Sequence, residues 1–354
     1  MVGLFDPRTE AIEEARKRLN PNAVAYNDYH ELVNDERIDW VMIGSWNCYH
    51  KEQTIAAFEA GKHVFCEKPL ATNLADCLAM RDAWQKSGCK FSIGFTLRYS
   101  PHYRKIKELL KSDAVGQIIS LEFNETLDFC HGGYIMGDWR RLIESAGSHM
   151  LEKCCHDVDL VNWMLESRAS RVASFGGLNI FRPENAGLID KIGPNDKGEQ
   201  AFRTWPGSVN KNPFTSDKDI VDNQVAILEY ENEVRATFHT NCSSAIPERR
   251  LYICGTEGAI RADLRSGSAP IELCKTGFNE EIQEIDTGAS GGHGGGDNVL
   301  TQSLGESILK DKEPFTSLDD GLKSAVTVFA IDEAEKTGEV ISLAPYWKKA
   351  ESVE

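Results

Sequence analysis

The 354-residue sequence lacks the features that direct a protein to a membrane or to nucleic acid. No stretch approaches the ~18 consecutive apolar residues of a membrane-spanning helix. The first residues include neither a basic region nor the long apolar core of a signal peptide. Positive charge is in deficit, with 39 Lys and Arg against 55 Asp and Glu, and this balance argues against nucleic acid and anionic membranes as partners. We therefore expect a cytoplasmic protein.

Cysteine patterns that would indicate a metal or a disulfide framework are also missing. The sequence has ten cysteines, but they show neither a C-x-x-C pair nor a C-x-x-C…H-x-x-x-H spacing. Because cytoplasmic thiols stay reduced, we expect ten reduced cysteines and no metal site. Internal repeats are absent as well.

The pattern that is present, up to about residue 97, alternates short apolar runs with helical segments. The runs "IDWVMIGS" and "KHVFCEK" are almost continuously apolar, as is typical of parallel strands covered on both faces. Strands that alternate with helices of ten or more residues indicate repeated β-α units. We therefore predict an α/β fold in which residues 1–118 form a Rossmann-like domain with a parallel sheet.

From about residue 118 the pattern changes to longer, alternating strands. The segment "VAILEYENEVRATFHT" predicts a hairpin, and "GTEGAI" contains a second turn. We expect residues 119–354 to form a second domain, an open and mostly antiparallel sheet with helices on one face. One helix is expected over 148–165, and the polar segment 182–219 is expected to be a long loop.

Four segments match one family in order and spacing. Together they resemble the Gfo/Idh/MocA oxidoreductases, and they read "VMIGSWNCYHKEQTIAAFEAGKHVFCEKPLA", "SIGFTLRYSPHYRKIKELLKSDAVGQI", "GDWRR" and "SHMLEKCCHDVDLVNWML". The resemblance implies a Rossmann domain that binds NAD or NADP and a second domain used for substrate binding and dimerisation. It also implies hydride transfer between the nicotinamide and a hydroxyl-bearing carbon of a sugar or polyol, in a homodimer or homotetramer.

The expected catalytic residues follow from position and from this resemblance. Lys68 comes directly after an apolar strand, where open parallel sheets bind ligands, and a cation whose pKa burial lowers suits a developing alkoxide. The family has an Asp-x-x-x-His pattern in which His is the acid/base. Here His156 matches the His, Glu152 replaces the Asp one turn earlier, and Lys153 is expected either to contact the substrate or to pair with an acid.

Further residues are expected to contact the substrate. Trp139 of "GDWRR" is expected to stack on a sugar ring or on the nicotinamide, and Arg140 to grip hydroxyls or a carboxylate, although a structural Trp–Arg stack is an equal alternative. His293 lies among glycines in "SGGHGGGD", a predicted pocket-rim loop whose Asp297 is expected to cap the next helix. The complete set of expected substrate-binding residues is Arg98, Trp139, Arg140, Asp157 and His293.

The cofactor residues are assigned by position in the Rossmann pattern. Asp6 at the end of the first strand is expected to bind the adenosine ribose, which favours NAD, while Arg8 leaves NADP open. The turn after "WVMIG" departs from the family's T-P-N-x-x-H by placing Trp46 at the proline. The complete set of expected cofactor-binding residues is Asp6, Arg8, Ser45, Trp46, Asn47, His50, Glu67, Lys68 and Pro69, with Pro69 fixing the Lys68 turn and Glu67 orienting Lys68 or the ribose.

The family's first unit, a strand, a G-x-G-x-x-G turn and a helix, does not precede Asp6 in this sequence. Three hypotheses follow. The first is a dehydrogenase whose native chain begins roughly 30 residues upstream. The second is a relative that uses NAD to cleave glycosidic bonds by transient oxidation. The third is a cofactor-free relative that acts as a binding or structural protein.

Overall fold

The computed structural model describes residues 1–205, 207–264 and 270–352. Pro206, inside the predicted loop 182–219, and residues 353–354, at the end of the predicted second domain, lie outside the described residues. The amino-terminal part alternates strands and helices as predicted. Its elements are β1 (Gly3–Leu4), α1 (Thr9–Arg18), β2 (Val24–Ala25), α2 (Tyr29–Val33), β3 (Trp40–Ile43), α3 (His50–Glu59), β4 (His63–Cys66), α4 (Leu74–Ser87), β5 (Phe91–Ile93) and α5 (Pro101–Lys111).

All strand pairs in this part are parallel, and they form two sheets. β1 pairs with β2, and β3, β4 and β5 form a second sheet in that order. Within the described ranges no strand pair joins the two sheets. Val64 and Cys66 of β4 are completely buried, as the continuous apolar pattern predicts for a strand with helices on both faces.

The carboxyl-terminal part is built around a nine-stranded sheet. Its elements are β6 (Ile118–Thr126), α6 (Phe129–Gly137), α7 (Ile143–Ala146), α8 (His149–Glu152), α9 (Cys155–Leu165), β7 (Ala169–Gly177), α10 (Leu188–Ile192), β8 (Asn223–Tyr230), β9 (Arg235–Asn241), β10 (Arg250–Gly255), β11 (Gly258–Asp263), β12 (Ile271–Lys275), β13 (Gln283–Ile285), α11 (Gly296–Lys310), α12 (Leu318–Thr337), β14 (Ile341–Ser342) and α13 (Ala344–Glu351). The sheet order is β13-β12-β11-β10-β6-β9-β8-β7-β14. Only β6 and β9 run parallel among these described pairs, so the predicted mostly antiparallel sheet is confirmed, as are both predicted hairpins.

The helix expected over 148–165 is broken, and that prediction was wrong. α8 ends at Glu152 and α9 begins at Cys155, with Cys154 between them at φ −90° and ψ −1°. The carbonyl of Glu152 accepts a hydrogen bond from the ammonium of Lys68. That carbonyl would otherwise accept the helical hydrogen bond from His156, so a side chain from the Rossmann domain enters where the helix breaks.

The segment predicted as a long loop, 182–219, contains short helical elements. It contains α10 and a short 3-10 turn over Pro183–Asn185. Phe202 and Phe214 are buried in a second hydrophobic cluster with Ile135 and Met136 of α6. The segment therefore folds onto α6 through apolar contacts that its polar composition does not reveal.

α12 joins the two parts. It packs on the Rossmann strands so closely that a Cβ added at Gly321 would lie 2.8 Å from Ile93 and 3.3 Å from Leu70. Arg81 of α4 donates a hydrogen bond to the carbonyl of Ala350 in α13. Across the described ranges, none of the helices has the length and hydropathy needed to span a membrane.

Candidate active site

Lys68 lies at the carboxyl end of β4, as predicted, and reaches across to α8. The Lys68–Pro69 peptide bond is cis. Besides its hydrogen bond to the Glu152 carbonyl, the Lys68 ammonium lies 3.4 Å from the Glu152 Oε1 atom. Arg140 Nε donates to the same Oε1 atom at 3.0 Å. The structure therefore brings three predicted site residues together around one carboxylate.

The charges in this cluster set one another's protonation. Burial raises the pKa of Glu152, but the charges of Lys68, Arg140 and Lys153 outweigh burial and hold the pKa well below its usual range. Burial is the largest single influence on Lys68 and lowers its pKa, but Glu152, Cys155 and Glu67 together outweigh burial, so the net pKa is raised. The expected lowering of the Lys68 pKa was therefore wrong, because its acidic partner is in direct contact. The raised pKa favours the protonated form of Lys68.

His156 is buried beside this cluster as a neutral ring. Its pKa lies well below the usual value, first because burial disfavours the charged form and then because Lys68 and Arg249 repel a second positive charge. Its Nδ1 atom has no hydrogen-bond partner within the described part of the chain. The ring packs against Phe95 at 6.0 Å and His293 at 5.8 Å between centroids. A neutral imidazole with an unpartnered ring nitrogen suits a proton acceptor.

Lys153 and Asp157 belong to a different, closed cluster. Lys153 Nζ lies 3.6 Å from Glu125 Oε1, and Arg249 Nε lies 2.6 Å from Glu125 Oε2. Arg249 also binds both oxygens of Asp157, at 2.9 and 3.0 Å. Of the two roles predicted for Lys153, the structure places it in the pair with an acid. Asp157 likewise has its carboxylate occupied by a buried arginine.

Arg98, another predicted substrate residue, pairs with carboxylates other than Glu152. Its guanidinium binds both oxygens of Asp159, at 2.7 and 2.6 Å, and lies 3.1 Å from Asp320 of α12. The Arg98 side chain is buried, so its donors are used inside the protein. We therefore assign Arg98 to the packing of α9 against α12, because a substrate would have to displace two carboxylates to reach it.

Trp139 and Arg140 form the stack that the sequence left as an alternative. Trp46 stacks on Trp139 at 5.2 Å with an interplanar angle of 10°, and the Arg140 guanidinium lies 4.2 Å from the Trp139 ring centroid. Because Trp139 is only 7% exposed, its ring is not open to a sugar. Trp46 and Arg140 therefore cover the ring, as in the structural stack, and the expected stacking of Trp139 on a sugar or on the nicotinamide stays a prediction.

Two predicted cofactor residues hold the turns that follow the strands. The ring of buried His50 contacts the carbonyl of Pro69 at 2.8 Å and that of Ser45 at 3.2 Å. Buried Asn47 donates to the carbonyl of Ala146 at 2.8 Å. The buried side chains of His50 and Asn47 thus hold the turns after β3 and β4 through backbone carbonyls and are not presented at the surface.

Other predicted cofactor residues line an open edge. At the end of β3, Gly44 is exposed and a Cβ added there would have no atom within 4 Å. Asp6 follows β1, and its Oδ1 atom accepts hydrogen bonds from the Arg8 backbone at 2.8 Å and the Arg8 side chain at 3.3 Å. Glu67 lies against Gly94, where a Cβ would come within 2.7 Å of its carboxylate. This open strand edge fits the placement of a dinucleotide in parallel sheets.

The ring of His293 lies next to that of His156, and its side chain is partly exposed. Its Nδ1 atom contacts the two Asp297 oxygens at 3.0 and 3.1 Å. Asp297 therefore holds His293 and does not cap α11, which corrects that expectation. No cluster suited to binding a metal occurs among the residues that the structure describes, and all ten cysteines are free.

Four residues of the site region were missed by sequence reasoning. Glu125 and Arg249 complete the closed cluster, and Tyr134 and Trp205 extend the stack beyond Arg140. The Arg140 Nη1 atom donates to the Tyr134 hydroxyl at 2.6 Å, and the Tyr134 and Trp205 rings lie 5.6 Å apart. The sequence did contain a signal for Trp205. Because tryptophan is highly buried on average, a tryptophan in an otherwise polar segment predicts packing or binding.

Comparisons with known proteins test the family prediction. The family model described as "Oxidoreductase family, NAD-binding Rossmann fold" matches residues 1–95, and "Oxidoreductase family, C-terminal alpha/beta domain" matches residues 107–343. The putative oxidoreductase YteT of Bacillus subtilis is 25% identical, over 86% of this chain and 81% of that protein. Inositol 2-dehydrogenase of Salmonella typhimurium is 30% identical over 54% of this chain and 53% of that protein, about half of its length.

Solved structures show the same fold. Levoglucosan dehydrogenase in complex with NADH and levoglucosan superposes with a TM-score of 0.79 at 19% identity, covering 97% of this chain and 90% of that one. The scyllo-inositol dehydrogenase of Lactobacillus casei gives a TM-score of 0.72 at 20% identity over 97% and 90%. The predicted two-part α/β fold is confirmed, and the chain belongs to the Gfo/Idh/MocA oxidoreductase family.

Proposed function

We propose that this chain is an NAD(P)-dependent dehydrogenase that moves a hydride between the nicotinamide and a hydroxyl-bearing carbon of a sugar or polyol. The observation that carries the proposal is the cluster at the end of β4, where protonated Lys68 shares Glu152 with Arg140 beside neutral His156. The names of its relatives support this function, since they include inositol 2-dehydrogenases and a levoglucosan dehydrogenase bound to NADH.

The chain's own residues suit the two charge changes of alcohol oxidation. The bound nicotinamide supplies the hydride acceptor. Lys68 stabilises negative charge on the substrate oxygen, and Glu152 and Arg140 hold the ammonium in place. His156 accepts the hydroxyl proton at a ring nitrogen. The His293 ring centroid lies 5.8 Å from that of His156, and the partly exposed His293–Asp297 pair can pass the proton on to solvent. Groups of this kind contribute about 10²–10⁴-fold each to rate.

We propose NAD as the preferred cofactor. Asp6 lies at the end of β1, where an acid accepts hydrogen bonds from the adenosine ribose and repels a 2′-phosphate. Arg8, which would favour the phosphate, already pairs with Asp6. Ser45, Trp46 and Glu67 would contact the cofactor from the turns after β3 and β4.

One experiment tests the activity and its alternatives. The protein is mixed with NAD⁺ or NADP⁺ and a panel of inositols and hexoses, and reduced nicotinamide is measured by absorbance. We expect net reduction with NAD⁺ and at least one polyol or hexose. Release of free sugar from a glycoside without net reduction would replace this function by oxidative glycoside cleavage. Failure of NADH fluorescence to change on titration would overturn both enzymatic proposals.

We also propose a cytoplasmic homodimer or homotetramer that pairs through the outer face of the sheet. Phe175 of β7 lies opposite Val225 of β8, with Ile227 two residues farther along β8, and all three are exposed. A run of large apolar side chains on one sheet face is typical of a protein interface. Light scattering of the purified protein measures the mass, and a monomer would contradict the proposal.

A further inference from the structure

The turn after β3 contacts the second domain through two consecutive residues. Trp46 stacks on Trp139, with ring centroids 5.2 Å apart and an interplanar angle of 10°. Asn47 is buried and donates a hydrogen bond to the Ala146 carbonyl at 2.8 Å. One contact is apolar and the other is a directional hydrogen bond, so together they fix where the turn lies against the second domain.

The Trp139 ring also packs against the Arg140 guanidinium. The guanidinium carbon lies 4.2 Å from the Trp139 ring centroid and 4.8 Å from that of Tyr134. The Arg140 Nη1 atom donates to the Tyr134 hydroxyl at 2.6 Å. Aromatic faces attract a cation and leave it few rotamers. Because Trp139 is nearly covered, the plane of its ring depends on Trp46, and the guanidinium rests on that ring.

The position of Arg140 matters because its guanidinium holds the carboxylate of the proposed reaction centre. Arg140 Nε donates to Glu152 Oε1 at 3.0 Å, and Lys68 Nζ lies 3.4 Å from the same oxygen. Since one oxygen serves both cations, a displaced guanidinium would also move the carboxylate relative to Lys68. A misplacement of about 1 Å in a reacting geometry can cost about 10²-fold in rate.

Trp46 thus stands at the start of a continuous series of contacts that ends at Lys68. The series passes from the Trp46 ring to Trp139, then to the Arg140 guanidinium and the Glu152 carboxylate. It begins in the Rossmann domain, enters the second domain at Trp139 and returns to the Rossmann domain at Lys68. The turn after β3 and the turn after β4 are therefore linked through side chains of the second domain.

We propose that Trp46, acting through the Trp139 ring, is a positioning residue for the Arg140 guanidinium at the reaction centre. That guanidinium in turn holds Glu152 against Lys68. This inference rests on the proposed dehydrogenase function and adds a role for Trp46 that is separate from contact with the cofactor. The role needs an aromatic ring at position 46, and it affects the rate of the chemical step rather than cofactor affinity.

The test is a double-mutant cycle between Trp46→Ala and Arg140→Met, with kcat measured at saturating NAD⁺ and the best sugar or polyol and corrected for the folded fraction. Saturation removes the effect of weaker cofactor binding from kcat. Trp46→Ala lowers kcat by about tenfold, and Trp46→Phe, which keeps a ring, retains most of it. In the Arg140→Met background, Trp46→Ala lowers kcat no further, because the group that it positions is gone.

The control is Trp40→Ala, which removes an indole from the other end of β3, where it packs on His63 at 5.1 Å between centroids. This variant keeps the wild-type kcat per folded molecule. If the losses of Trp46→Ala and Arg140→Met multiply in the double variant, Trp46 does not act through Arg140 and the inference is overturned. A Trp46→Ala effect confined to the KM for NAD⁺ also overturns it, since Trp46 is then a cofactor contact only.

A second readout separates this inference from the proposed function. Denaturant titration gives the free energy of unfolding of the wild type, Trp46→Ala, Arg140→Met and the double variant. Losses that are less than additive support the contact between Trp46 and Arg140 through Trp139. If the wild type reduces no nicotinamide but this cycle is non-additive, the proposed function falls and the positioning contact stands. Additive losses overturn the inference, whatever the activity of the wild type.

Discussion

Two lysine–glutamate pairs meet at the same helix break, and they differ in what surrounds them. Lys68 meets Glu152 at 3.4 Å, and Lys153 meets Glu125 at 3.6 Å. Around the first pair, one carboxylate oxygen of Glu152 accepts from both an ammonium and a guanidinium, and Arg140 also contacts Tyr134 and Asp138. Around the second, Arg249 and Asp157 supply one further cation and one further carboxylate.

The surroundings of the two pairs shift the pKa of the lysine in opposite directions. The net pKa of Lys68 is raised, because Glu152, Cys155 and Glu67 together outweigh burial. The pKa of Lys153 is lowered, because burial acts first and Arg249 repels it despite the attraction of Glu125. A neighbouring acid therefore does not identify a catalytic lysine. What distinguishes Lys68 is the direction of the net pKa shift, because nearby acidic groups outweigh burial at Lys68 whereas burial and Arg249 prevail at Lys153.

The largest expected effect is on turnover at the first pair. Lys68→Met removes the cation that stabilises charge on the substrate oxygen, and we expect kcat to fall about 10³-fold, within the range of a positioned charged group. Steady-state kinetics on the best substrate measure it. Lys51→Met is the matched control, since Lys51 pairs with Asp76 at 3.0 Å on the Rossmann domain. Equal loss in both variants would remove the distinction between the two lysines.

The second expected effect is on stability at the closed cluster. Lys153→Met removes one of the cations that face the buried carboxylate of Glu125, and we expect the free energy of unfolding to fall by about 3 kcal/mol. Denaturant titration measures it. The double variant Lys153→Met, Glu125→Gln should recover part of the loss, because no unpaired charge remains. Retained stability together with a large loss of turnover per folded molecule would instead make Lys153 catalytic.

A smaller effect concerns pH. Burial and the charge of Lys68 hold the pKa of His156 low, so oxidation should lose activity only where acid protonates this ring, well below its usual pKa. Removing the Lys68 charge favours the protonated ring. In Lys68→Met the acid limb of kcat/KM should therefore move upward, by about one pH unit or less. A downward shift or an unchanged limb would show that another group titrates.

The smallest effect is expected at an exposed pair. Asp6 and Arg8 meet at 3.3 Å with Arg8 62% exposed, and exposed pairs contribute at most about 1 kcal/mol to stability. Arg8→Gln should leave the free energy of unfolding within about 0.5 kcal/mol while lowering any use of NADP relative to NAD. A rise in NADP use would reverse the roles that we propose for Asp6 and Arg8.

The inner site could be predicted from sequence because its signals are local. Lys68 follows a continuous apolar strand, and Glu152 and His156 carry a spacing that resembles the family's. The cluster around Lys153 could not be predicted, since Glu125 and Arg249 lie on other elements. The hydrophobic periodicity of a segment indicates which face of a helix or strand is buried, but not which residues it contacts. The helix break has the same origin, because the Lys68 side chain comes from the other domain. The order of 182–219 depends on the close approach of its backbone to Gly133.

The fold was predictable to the level of its two parts. Continuous apolar strands separated the parallel sheets from the alternating antiparallel sheet, and the pairings agree with both hairpins. The covered face of Trp139 was not predictable, because Trp46 reaches it from a turn 93 positions earlier in the chain. The presence of aromatic residues predicts stacking, but the sequence alone does not identify the group on which each ring stacks.

One assay of net nicotinamide reduction by the wild type, Lys68→Met and Lys153→Met, each corrected for its folded fraction, tests the different roles of the two lysines most directly. We expect the wild type and Lys153→Met to reduce NAD⁺ at rates within about fivefold of each other. We expect the rate of Lys68→Met to fall below about one-hundredth of the wild-type rate. Equal rates in the two variants, or a greater loss in Lys153→Met, would contradict the catalytic role proposed for Lys68.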